Sequence, residues 1–75
     1  MQELIEFIVK SIVNDKDAVS VSANKDDRFT LYTVNVASAD LGSVIGKNGK
    51  IAEAIRTVVK SAGSRERMRI KFEGK

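Results

Sequence analysis

Two glycines three positions apart, Gly46 and Gly49, bracket Lys47 and Asn48, and Lys50 follows directly. Glycine lets the backbone take positive φ and lets a ligand come close with no Cβ in the way. A helix that starts just after such a loop points unpaired N–H groups outward, where phosphate oxygens are favoured. Lys47 and Lys50 add mobile positive charge at the same end, at a cost of about a few tenths of a kcal/mol against the helix dipole. That small cost makes sense if an anion arrives. Two other readings use the same residues. One is a plain turn between helices with Asn48-Gly49 as its tight element. The other is a nucleotide phosphate loop, which would need a longer glycine spacing and a Lys-Ser or Lys-Thr pair that this segment lacks.

The rest of the chain narrows the chemistry. Its 75 residues hold one small domain, spanning 1–75, with a single core. Cysteine, histidine and tryptophan are absent, which removes disulfides, zinc sites of the Cys/His kind and the commonest general acid or base. The carboxylates are scattered and suggest no nucleophile-base pair, so a non-enzymatic protein with no metal or cofactor is expected. No run of 18 apolar residues occurs, and Glu3 and Glu6 stand where a secretory signal would carry positive charge. A soluble, cytoplasmic protein with no membrane partner is the expectation. Net charge is +3, but residues 1–40 sum to −3 and residues 41–75 to +6. Positive charge concentrated in one half of a small domain is suited to a polyanion.

Positioning elements can be read on either side of the loop. From Gln2 to about Val13, Leu4, Ile5, Ile8, Val9, Ile12 and Val13 recur with the period of a helix, and Asn14-Asp15 supply a stop. Val19, Val21 and Ala23 alternate with Ser20 and Ser22, and Phe29 to Ala37 is rich in β-branched and aromatic residues, so both read as strands joined by a turn over Asn24 to Asp27. Phe29 and Leu31 are out of phase with Tyr32, Val34 and Val36, and a bulge near Leu31 or Tyr32 would reconcile them. Ser38 or Asp40 can cap a two-turn helix carrying Leu41, Val44 and Ile45 inward until Gly46. A longer helix then sets Ile51, Ile55, Val58, Val59 and Ala62 on one face, with Lys50, Glu53, Arg56 and Lys60 outside and Gly63 closing it. Met68, Ile70 and Phe72 alternate with Arg67, Arg69 and Lys71 in the last strand.

The order is helix, strand, strand, helix, helix, strand. It predicts an α+β domain with a hairpin and a parallel crossover in one mixed three-stranded sheet, the three helices covering one face.

Val-Ile-Gly-Lys-Asn-Gly followed by a helix resembles the KH-domain signature, whose GXXG loop clamps RNA backbone. The element order resembles the type II KH fold, and Ile45 to Val59 looks like the small stand-alone bacterial KH proteins of the KhpA family. The resemblance implies single-stranded RNA as ligand, with Gly46, Lys47, Asn48 and Gly49 on sugar-phosphate, Lys50 and Arg56 beside them, and Val44 and Ile45 flooring a groove for bases. The second strand would form the other wall, with Val34, Asn35 and Val36 as candidates and Leu41 as floor or interface. It also implies an RNA chaperone or post-transcriptional regulator that forms a homodimer, or a heterodimer with a second KH protein of the KhpB type, with effects on cell division and envelope growth. The alternative is a protein-interaction module of KH fold that binds no RNA.

Other residues read as structural. Arg65, Arg67, Arg69 and Lys71 form a basic stripe best explained as a soluble outer sheet face. Phe7 and Tyr32 read as core or core-edge residues.

Overall fold

The computed structural model describes residues 2–62 and 67–74. The elements come in the expected order: α1 Gln2–Lys10, β1 Ser20–Lys25, β2 Thr30–Val36, α2 Ser38–Ile45, α3 Lys50–Ser61 and β3 Met68–Gly74. One-turn 3₁₀ helices occupy Lys16–Ala18 and Lys47–Gly49. Gly63, expected to close α3, and Arg65 of the basic stripe lie outside the described residues.

The sheet order is β1-β2-β3, with β2 antiparallel to β1 and parallel to β3. Both registers run without interruption, so there is no bulge at Leu31 or Tyr32. The phase conflict resolves differently. Thr30, Tyr32, Val34 and Val36 are buried beneath the helices, while Leu31, Thr33 and Asn35 are half-buried on the opposite face. Phe29 serves that opposite face too, where the Arg69 guanidinium stands 5.1 Å from its ring centroid. The β1–β2 turn is held by Asp26, whose Oδ1 accepts the N–H groups of Arg28 at 2.7 Å and Phe29 at 3.1 Å.

The core joins Ile5 and Val9 of α1, Val34 and Val36 of β2, Val44 of α2 and Val59 of α3, each essentially without exposed surface. Burying one such side chain is worth about 1.5–3 kcal/mol. α1 is shorter than its apolar pattern suggests, because the Ser11 and Ile12 N–H groups bond back to Ile8 and Val9 oxygens and tighten the last turn. Val13 still reaches the core. In α3 the buried stripe is Ala52, Ile55 and Val59, turned from the predicted one, which leaves Ile51 40% and Val58 52% exposed. Phe7 departs furthest from expectation, at 71% exposed.

α2 also differs at its start. Ala37 occupies the cap position and no side-chain bond caps the helix. Asp40 is instead buried, and its two carboxylate oxygens accept the backbone N–H groups of Asn14 at 3.2 Å and Asp15 at 3.0 Å. It thereby ties the start of α2 to the segment leaving α1.

Candidate nucleic-acid interface

α2 ends at Gly46, whose N–H donates to the Gly42 oxygen at 2.9 Å. The chain then makes one tight turn and enters α3. Three residues with positive φ make that turn: Gly46 at φ 74° and ψ 175°, then, after Lys47, Asn48 at φ 58° and ψ 25°, and Gly49 at φ 74° and ψ 13°. The first lies in a region that only glycine occupies readily. The other two are left-handed, where asparagine and glycine are the favoured residues. The sequence Gly-Lys-Asn-Gly thus matches its backbone position by position.

The two glycines face different surroundings. A Cβ on Gly46 would sit 2.6 Å from Ile51 Cγ1, whereas a Cβ on Gly49 would meet nothing within 4 Å. Gly46 is closed in by packing, and Gly49 opens to solvent beside exposed Lys47, Asn48 and Lys50. Among the described residues the ion pairs are Glu6–Lys10 and Lys71–Glu73, and neither loop lysine takes part. The donor set differs from expectation. The Gly49 N–H is used by the Gly46 oxygen at 3.2 Å and the Lys50 N–H by the Lys47 oxygen, so these two donors are already engaged within the loop.

Arg56, on α3, reaches across to the last strand. Its Nη2 donates to the Ile70 carbonyl at 3.3 Å and its guanidinium lies 5.9 Å from the Phe72 ring centroid. Arg56, Lys60, Met68, Arg69 and Ile70 line a cleft of about 400 Å³ between α3 and β3. Half-buried Leu41, Ile45, Met68 and Phe72 pack against the core.

This geometry revises several expected site residues. Val44 has no exposed surface, so it supports the floor from below while half-buried Ile45 is the one that can offer apolar contact. Val34 and Val36 are likewise fully buried, and Asn35 faces away from the helices. Their strand is the middle of the sheet, hydrogen-bonded on both sides. The strand available beside α3 is β3. Lys60, Met68, Arg69 and Phe72 therefore belong to the candidate surface though the sequence reading left them out. The signal for them was the helix pair itself, since a crossover ends on the strand it leads into. Leu41 packs near the end of β3, where a Cβ on Gly74 would lie 3.2 Å from its Cδ2.

The family model of the KhpA/KhpB KH domain matches residues 2–73. The chain belongs to that family. RNA-binding protein KhpA of Clostridium acetobutylicum is 44% identical over 73 residues, covering 97% of each chain. KhpA of Listeria monocytogenes is 41% identical over 73 residues, covering 97% of this chain and 96% of that one. KhpA of Borreliella burgdorferi is 38% identical over 71 residues, covering 95% and 87%. No solved structure matches. The loop from Gly46 to Gly49 reads Gly-Lys-Asn-Gly, and no helix among the described residues is long and apolar enough to cross a membrane.

Proposed function

We propose that this KH domain binds single-stranded RNA, with the backbone of the RNA laid on Lys47, Asn48 and the open side of Gly49, and the bases in the cleft between α3 and β3. The observation that carries this reading is the empty space over Gly49, framed by exposed Lys47 and Lys50. A sugar-phosphate chain can approach there without a side chain in the way. Beyond it, Ile45, Phe72 and Met68 offer apolar contact, and Arg56 and Lys60 offer charge. Relatives that share about two-fifths of the sequence carry the name RNA-binding protein. The test is fluorescence anisotropy of a labelled unstructured RNA with the wild type and a Lys47→Asp, Asn48→Asp double variant. The wild type should bind and the folded variant should not. Equal binding by both would remove the loop from the interface.

One short site gives modest affinity, and a second KH domain held alongside would raise it by avidity. The reading therefore includes pairing with a second copy or with a KhpB-type protein, in post-transcriptional control. The surface offered for that contact is the apolar strip of Ile8, Ile12, Ile51, Ala54 and Val58 between α1 and α3. The same strip favours the second reading, a protein-interaction module that binds no RNA. Light scattering on Val58→Asp tests it: the assembled species should fall to monomer, and an unchanged mass would dismiss the strip.

A further inference from the structure

The sheet has a second face, and β3 is where the two faces meet. On the side away from the helices the register aligns three columns: Asn24, Ser22 and Ser20 of β1; Leu31, Thr33 and Asn35 of β2; Arg69, Lys71 and Glu73 of β3. Arg67 precedes the last column, and its carbonyl accepts the Thr30 N–H at 2.8 Å, which carries the same ladder one residue further. Two columns are mostly hydroxyl and amide groups, and the third begins with three cations. Alternate residues of a strand are about 6.6 Å apart, close to the repeat of phosphates along an extended single strand. Arg69 is held over the Phe29 ring on this face, yet it also lines the α3–β3 cleft. It sits at the rim that both surfaces share.

We infer that single-stranded RNA leaving the cleft continues around the β3 edge onto the outer sheet face, with Arg67, Arg69 and Lys71 meeting successive phosphates. This rests on the RNA reading above and extends it. The argument is charge complementarity together with continuity through Arg69. The hydroxyls and amides of β1 and β2 suit sugars and any base, so the extension carries little sequence preference. Acids bound it at its ends: Glu73 pairs with Lys71 at 2.9 Å, and Asp26 and Asp27 lie in the β1–β2 turn beside Arg67. The path therefore runs between these acids, from Arg67 to Lys71, with phosphate taking the place of Glu73 on Lys71.

The test compares an RNA of about four nucleotides, the span of a KH groove, with one about twice as long, on the wild type and on Arg67→Gln, Lys71→Gln. Arg69 is left intact because it belongs to the cleft. The longer RNA should bind the wild type more tightly and with a steeper dependence on salt. The variant should bind the short RNA as the wild type does, and lose about 1.4 from the logarithmic salt slope for the longer one, at ~0.7 per phosphate contact on a single strand. On the wild type, the amide resonances of Ser22 and Thr33 should shift with the longer RNA and stay still with the short one. Equal binding of the two lengths, a variant indistinguishable from the wild type, or still resonances at Ser22 and Thr33 would overturn the path while leaving the groove standing. Failure of both RNAs to bind the folded wild type would overturn the RNA reading and the path together.

Discussion

Gly46 and Gly49 share a φ of 74° and little else. The α-carbon of Gly46 is covered by Ile51, and its ψ of 175° puts it in backbone territory closed to other residues. Gly49 has a ψ of 13°, a conformation asparagine tolerates, and nothing stands above it. One glycine is required by the protein's own packing. The other keeps a space clear. A two-glycine motif thus combines a position fixed by packing with one left open, and substitutions can separate them.

The largest expected effect is at the packed position. Gly46→Ala should cost about 2–4 kcal/mol, combining backbone strain of 1–3 kcal/mol with overlap on Ile51, and lower the melting midpoint by more than about 10 °C. Adding Ile51→Ala should recover part of the loss by relieving the overlap. A Gly46→Ala variant that melts like the wild type would erase the distinction. Next in size is Asp40→Ala, which strips the Asn14 and Asp15 N–H groups of their acceptor and should cost about 1–3 kcal/mol. The loop is untouched, so thermal denaturation should show the loss while RNA affinity below the melting range stays near wild type. That variant separates damage to stability from damage to binding.

Gly49→Asn should have a smaller effect on stability, about 1 kcal/mol or less, but should weaken RNA binding because its side chain enters the cleared space. Retained affinity would mean that the open side of Gly49 is not where the backbone lies. The smallest effect is one of pH and concerns neither glycine. The N–H groups of Arg28 and Phe29 hold the Asp26 carboxyl below its ordinary pKa. A lowered folded-state pKa adds stability above the unfolded value and loses it as pH falls through the folded one. Asp26→Ala should therefore flatten the stability profile slightly below about pH 4, seen as a smaller acid-side decline in melting temperature.

Much of the fold could be read from periodicity because most elements bury one clean stripe. β3 alternates Met68, Ile70 and Phe72 against basic residues, and its pairing beside β2 follows from the helical crossover. The Gly46 to Gly49 loop was legible for the same reason: its residue types answer local backbone demands. What escaped the sequence depends on contacts distant along the chain. Phe29 looked like a core residue in the wrong phase, because the sequence does not show that Arg69 would stack on it from another strand. Val44 looked like groove floor, but the sheet beneath α2 buries it. Asp40 looked like a helix cap, although its acceptors serve backbone 25 and 26 residues earlier. Val34 and Val36 looked like residues of a groove wall, but the helices packed on that face of the sheet bury both.

Arg56 has a second consequence through its bond to the Ile70 carbonyl. β3 is an edge strand, and an edge whose backbone groups are unpaired can recruit a strand from another molecule. On the opposite edge, Gln2 Nε2 makes the matching contact to the Val21 carbonyl at 2.7 Å. Each side chain occupies an acceptor that an incoming strand would need. Arg56 also lines the cleft, so a ligand that drew it away would uncover that acceptor. Colloidal stability and ligand capture then compete for one guanidinium, and concentrated solutions of Arg56 variants should be the ones most prone to strand-mediated association.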